Sequence, residues 1–217
     1  MLHAETLAGF CVGLSETLVG YPFMTAKVLI QNRQAWWKLP FTRYYYGVRY
    51  PLISSLGFNS LVFPLRDYLH DERGLSYAVA GCLAGVAVSP QMFFIDTFAI
   101  RAQTNQKVSL QMFRHCKGFG MTVTRECVAL STYFGSYHKC RETHGSFVSG
   151  AVAGLCNWTL SFPLDTIRTR QIAQRCTIRN AFAQKRLWRG FGIAASRAVI
   201  VNACSFTVYE NVLHVLK

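Results

Sequence analysis

Residues 163–170 read Pro-Leu-Asp-Thr-Ile-Arg-Thr-Arg, and thirteen positions before Pro163 the same stretch opens on Gly150-Ala-Val-Ala-Gly154. Offsets of 0, 4 and 13 recur upstream as Gly9, Gly13 and Pro22, and again as Gly81, Gly85 and Phe94, the middle copy lacking the proline. Downstream, Gly47, Gly118 and Gly190 are each followed sixteen residues later by Phe63, Phe134 and Phe206. Twenty residues after the same glycines stand Asp67, His138 and Glu210. Three copies of about 70 residues therefore account for a chain of 217. The boundaries expected are 1–73, 74–143 and 144–217 within a single domain spanning 1–217.

Each copy holds two apolar segments of some 20–28 residues separated by a short basic linker, long enough for a hydrocarbon core of ~30 Å. With 51% hydrophobic and 15% charged residues and a mean hydropathy of +0.20, the chain is expected to be an all-α membrane protein with six transmembrane helices in three pseudo-repeats of two. Small residues four apart on the first segment of each pair predict close backbone approach, as in membrane bundles. Pro22 and Pro163 predict bent first helices, and Pro90 supplies the middle copy a turn before Phe94.

The charge balance is 23 Lys plus Arg against 10 acids, a net +13. This positive charge is scattered between apolar stretches, which argues against a nucleic-acid partner, since such proteins gather their charge on one face. Within the repeats the linkers carry Arg33, Lys38 and Arg43; then Lys107, Arg114 and Lys117; then Arg175, Arg179, Lys185, Arg186 and Arg189, with no acid among them. The linkers between repeats mix signs, with Asp71, Glu72 and Arg73 in one and Lys139, Arg141 and Glu142 in the other. The positive-inside rule puts the basic linkers on the side equivalent to a bacterial cytoplasm. Eight cysteines show no Cys-x-x-Cys pair and no His at zinc spacing, so no metal is expected and a reducing compartment suits them. No phosphate loop, nucleophile triad or paired catalytic carboxylates occur, so neither an enzyme nor a cofactor is expected. Trp36, Trp37, Tyr44, Tyr45 and Tyr46 beside a basic linker read as an interfacial aromatic belt. Residues 1–10 have neither a secretory nor a transit-peptide pattern, so any address is expected to be internal.

The stretch 163–170 resembles the signature of the mitochondrial carrier family, Pro-x-[Asp/Glu]-x-x-[Lys/Arg]-x-[Lys/Arg]. Leu187-Trp188-Arg189-Gly190-Phe191-Gly192 resembles the aromatic-basic-Gly start of that family's even helices, and the threefold repeat carries the likeness across nearly the whole chain. The resemblance implies six tilted helices around a central cavity, with three short matrix-side helices abbreviated here, and the mitochondrial inner membrane with the basic linkers on the matrix side. It also implies membrane lipids as partners, cardiolipin above all.

Carried over by position, the acids of the family's matrix gate fall at Met24, Asp96 and Asp165, and its bases at Lys27, Ala99 and Arg168. Cyclic pairing then implies Asp96 with Arg168 and Asp165 with Lys27, while Met24 and Ala99 have lost both partners together. That joint loss is coherent, because an unpaired buried charge is far costlier than an apolar pair. Gln31 and Gln103 match the bracing glutamine and Ile172 departs from it. The opposite gate falls on Asp67 with Arg141 and Glu210 with His70, whereas His138 with Leu213 forms no ion pair. Substrate contacts map to Ser54, Arg125 with the adjacent Glu126, and Arg197. Charges at mid-membrane depth mark functional sites in their own right. An Arg-acid pair in the second copy resembles the amino-acid-transporting branch, its arginine suited to a carboxylate and its acid to an ammonium. Glu16 lies above Pro22 toward the same cavity.

The function implied is that of a solute carrier moving a small anionic or zwitterionic, amino-acid-like metabolite by alternating access. The alternative is a transport-inactive carrier fold kept as a structural subunit of a larger inner-membrane assembly, such as a respiratory or ATP-synthase complex. Phe94 for proline, Met24 and Ala99 in one gate, and short loops favour that alternative; the retained gate and cavity charges favour transport.

Overall fold

A computed structural model describes residues 2–107, 117–198, 200, 201 and 204. Among them the chain is all-helical. Helix α1 covers Leu2–Gln31, α2 Arg49–Asp71, α3 Tyr77–Gln103, α4 Phe119–Arg141, α5 Ser146–Gln174 and α6 Ile178–Ala183. The chain is helical again over 191–198. Two 3-10 turns, Trp36–Lys38 and Phe41–Tyr45, occupy the first linker as the short α6 occupies the third. Prolines 22, 90 and 163 sit inside α1, α3 and α5, and each helix continues through its proline, so the lost donor is absorbed rather than ending the helix.

By length and apolarity alone, α3 is the one described helix that qualifies as a membrane span. The expectation of an all-helical chain is met among the described residues, with one helix of that apolarity among them. The remaining long helices carry charged residues along their length: Glu16 and Lys27 in α1, Arg66 and Asp67 in α2, Arg125 and Glu126 in α4, Asp165, Arg168 and Arg170 in α5. Most of these are turned inward, where Lys27, Glu126, Asp165 and Arg168 are shielded against one another.

The recurring glycines fall into two groups. Gly81 and Gly85 close the contact of α3 with α4: a Cβ on Gly81 would come within 2.6 Å of the Leu130 carbonyl oxygen, and one on Gly85 within 2.8 Å of the backbone of Glu126 and Cys127. Gly13, Gly150 and Gly154 have no such neighbour among the described residues. Small-residue spacing thus produces close backbone approach in the middle copy, between α3 and α4.

Gly47, Gly118 and Gly190 all adopt left-handed backbone, with φ of +86°, +98° and +94°, a conformation that favours a residue without Cβ. Each turns the chain into a following helix, and each faces the end of a different odd-numbered helix. The nearest such contacts are Ala102 of α3 for Gly47, Ile172 of α5 for Gly118, and Ile30 of α1 for Gly190. Where those helix ends meet, Val28, Ile100, Ile172 and Ala173 form a buried apolar cluster. Ile172, the departure from the glutamine brace, belongs to this cluster, so an apolar side chain there completes a hydrophobic plug.

Candidate functional site: a charged cavity above an ion-paired floor

Just above that plug, α1, α3 and α5 carry opposite charges toward one another. Lys27 Nζ lies 2.6 Å from Asp165 Oδ2, and Arg168 Nη2 lies 2.7 Å from Asp96 Oδ2. Arg168 Nη2 is also 3.7 Å from Asp165 Oδ1, one helical turn before it. Gln31 Nε2 donates to Asp165 Oδ2 and to Thr166 Oγ1, both at 3.1 Å, which holds the carboxylate toward Lys27. The ammonium of Lys27 also stands 5.0 Å from the ring centre of Trp158 and 5.5 Å from that of Phe162, an attractive placement for a cation. Gln103 is buried and lines the surroundings of the same groups.

These groups line one end of a cavity of about 200 Å³. Met24 and Ala99 line it too, at the corner where the third ion pair is absent. Arg125 and Arg197 also reach the cavity. Gly20 makes room for Arg197, since a Cβ there would stand 2.9 Å from its Nε. Among the described residues that buried Nε has no hydrogen-bond partner.

Glu126 is placed differently from its sequence expectation. Its carboxylate accepts from Arg125 Nη1 at 2.5 Å and is 1% exposed, and it is not among the residues lining the cavity. The reason is the close α3–α4 contact at Gly85, which tucks the Glu126 backbone against α3. The side chain of Ser54 and all of Glu210 lie outside the described residues.

At the other end of the bundle the expected pairs are not made among the described residues. Asp67 pairs with the adjacent Arg66, and Arg141 Nη1 donates to the His144 carbonyl at 3.4 Å. Asp67, His138 and Arg141 instead line a common cavity of about 310 Å³. His70 Nδ1 lies 2.7 Å from the Leu75 carbonyl, and its ring stacks on Tyr77 at 3.7 Å, with His138 on that tyrosine at 4.1 Å.

Two features escaped the sequence. Thr25 Oγ1 donates to the Tyr44 carbonyl and Thr166 Oγ1 to the Leu187 carbonyl, both at 2.7 Å, tying α1 and α5 to their own linkers. A signal was present: threonine stands sixteen residues after the first glycine of every copy, at 25, 97 and 166. Arg170, wholly buried, donates to the carbonyls of Gln31 and Ala181 at 3.0 Å, of Lys185 at 3.1 Å and of Arg186 at 3.4 Å. The last base of the signature is thereby a clamp between α1, α5 and the third linker.

Charges buried between helices around a cavity, beside a helix long and apolar enough to cross a membrane, give a helical bundle with an ion-paired constriction. A sequence model of the family described as mitochondrial carrier protein matches residues 141–217. The mitochondrial arginine transporter BAC2 of Arabidopsis thaliana is 26% identical, the alignment covering 98% of this chain and 91% of that protein. The mitochondrial ornithine transporter 1 of Schizosaccharomyces pombe is 24% identical over 89% of this chain and 86% of its own. The glutamate/glycine mitochondrial carrier ymc1 of the same yeast is also 24% identical, with 96% and 93% covered. The chain is thus similar to mitochondrial carrier proteins, through the family model over residues 141–217 and through relatives aligned over most of its length. The BAC2 alignment spans 273 positions while 98% of this chain is about 213 residues, so some 60 positions face gaps here.

Proposed function

We propose that this protein is a solute carrier of the mitochondrial inner membrane that moves a small amino-acid-like anion or zwitterion by alternating access. Residues 1–217 form one carrier domain of three helix pairs, 1–73, 74–143 and 144–217, around the central cavity, with the basic linkers on the matrix side. The observation that carries the reading is the juxtaposition of two interhelical ion pairs, Lys27 with Asp165 and Asp96 with Arg168, beneath a cavity that Arg125 and Arg197 enter. The first acts as a closed matrix-side gate braced by Gln31, and the arginines hold the carboxylate of the solute. The ring of contacts made by Gly47, Gly118 and Gly190 supports the threefold arrangement.

Alternating access also accounts for the opposite end. One conformation closes one side of the cavity, so Asp67 and Arg141 stand apart while the matrix-side pairs are made. Relatives named as arginine, ornithine and glutamate/glycine carriers fit a site with an arginine for a carboxylate, and they set the solutes to try first. The aromatic belt and basic linkers are placed for anionic lipid head groups, cardiolipin among them.

The test is the melting temperature of the detergent-purified protein against L-arginine, L-ornithine, L-glutamate, dicarboxylates, nucleotides and phosphate, followed by uptake of any stabilising solute into proteoliposomes. A ligand of the folded state raises the melting point. A shift that Arg125→Ala abolishes, together with uptake, is the expected result. No shift with any solute, together with copurification of a respiratory or ATP-synthase complex, would replace transport with the structural-subunit role.

A further inference from the structure

Met24 and Ala99 leave one corner of the gate apolar, yet the buried cluster still contains three bases and three acids, because α4 adds Arg125 and Glu126 to the charges of α1, α3 and α5. Glu126 Oε1 is the common point. It accepts from Arg125 Nη1 at 2.5 Å and lies 3.5 Å from Arg168 Nη1. The second contact is ionic but not a hydrogen bond: Arg168 Nη1 is buried without an acceptor, while Nη2 of the same guanidinium is engaged by Asp96 at 2.7 Å. One carboxylate oxygen therefore sits between two guanidinium groups, holding one and facing an unfilled donor on the other. The Glu126 backbone is locked against Gly85, so only its side chain has freedom to move between them.

We infer that Glu126 is a positioning residue that passes between Arg125 and Arg168 and links occupancy of the cavity to the ion-paired floor. The inference rests on the reading of Arg125 as the carboxylate contact. A solute carboxylate arriving at Arg125 takes the place of Glu126 there, so Arg125 stays neutralised. The released Glu126 completes the bond to Arg168 Nη1 and competes with Asp96 for that guanidinium, loosening the contact of α3 with α5. The charge count of the cluster changes only by the solute that enters; Arg125 and Lys27 each keep a carboxylate, and Glu126 and Asp96 then share the Arg168 guanidinium, which weakens the hold on Asp96.

The pairing is tested on the full-length protein in detergent with no solute present. Arg125→Gln frees Glu126 as an arriving carboxylate would, so Asp96→Asn should then be milder: a loss of roughly 5–10 °C in melting temperature in the wild-type background, falling to less than half of that beside Arg125→Gln. Conversely, Asp96→Asn with Glu126→Gln should cost more than the sum of the two alone, and Glu126→Asp should restore part of the coupling. A loss from Asp96→Asn that is as large or larger in the Arg125→Gln background, failure to fold included, overturns the inference. So does simple additivity of Asp96→Asn and Glu126→Gln. Coupling in this cycle with no stabilising solute would remove the carrier reading and leave the shared carboxylate standing; solute stabilisation with an additive cycle would do the reverse.

Discussion

The contact of Lys27 with Asp165 makes an asymmetric prediction. Both side chains are nearly buried, at 11% and 4% exposure, so removing one partner strands the other charge at a typical cost of ~3–5 kcal/mol. Lys27→Met leaves Asp165 with the Gln31 amide at 3.1 Å and Arg168 at 3.7 Å, which places it near the lower figure, about 3 kcal/mol. Asp165→Leu leaves the ammonium only the faces of Trp158 and Phe162, a weaker substitute of ~0.5–2 kcal/mol, so the loss approaches ~4 kcal/mol. The double variant restores an apolar pair like Met24 with Ala99 and forfeits little beyond the hydrogen bond from Gln31, about 1 kcal/mol. At ~2–4 °C per kcal/mol for a chain of this size, the single variants melt roughly 6–16 °C below the wild type and the double within about 4 °C. Differential scanning fluorimetry of the four purified proteins reads this directly. A double variant melting below both singles would refute the reasoning, because the pair would then be net stabilising rather than a mutual neutralisation.

Alanine at the three left-handed glycines should rank by the space available: Gly118 and Gly47, with atoms at 2.9 Å from the added Cβ, lose more stability than Gly190, whose nearest is 3.5 Å. The strain common to all three is ~1–2 kcal/mol, and melting curves give the order. Gly85→Ala, pressed against backbone at 2.8 Å, should destabilise by over ~1 kcal/mol, whereas Gly13→Ala, with no described residue within 4 Å of the added Cβ, should melt like the wild type or slightly above it. Arg170→Met removes the donor shared by four carbonyls, so limited trypsin digestion should cut the linker at Arg175, Arg179, Lys185 and Arg186 faster than in the wild type. Burial pushes the Cys176 thiol above its ordinary range; less thiolate is then present near pH 7, and maleimide labelling of a variant keeping that cysteine alone should be slow at pH 7 and quicken as pH rises.

Periodicity exposed what repeats and hid what does not. The offsets from Gly9, Gly81 and Gly150 select Met24, Asp96 and Asp165 with Lys27, Ala99 and Arg168, and the structure gathers all six around one cavity because equal offsets on equivalent helices put side chains at equal depth. The same counting would have reached the three threonines, had hydroxyls been followed as closely as charges. Glu126 could not be placed that way: a neighbour of Arg125 in sequence points about 100° away on a helix, and only the α3–α4 contact at Gly85 decides that it is shut off from the cavity. The glycine spacing records a capacity for close approach, and among the described residues the α3–α4 contact uses it. Averages along a helix likewise count Lys27 or Arg168 as bare charges, when each meets a carboxylate.

The ionic contacts of the floor share one helix. Lys27 comes from α1, Asp96 from α3 and Glu126 from α4, and every one of them meets α5, through Asp165 or Arg168. Between α1 and α3 the equivalent corner is Met24 and Ala99, so those two helices meet there without charge. Separating α1 from α3 near this corner therefore breaks no ion pair, while moving α5 away from both breaks two buried ones, each of the costly kind. Threefold ion pairing would oppose helix separation equally at three corners; here the ionic contacts are concentrated on α5. The same helix carries the intact signature, from Pro163 to Arg170, and lies within the segment that the family model matches, 141–217. The first and second copies could drift from the signature because α5 supplies both an acid and a base, and a single intact copy is enough to give Lys27 and Asp96 their partners.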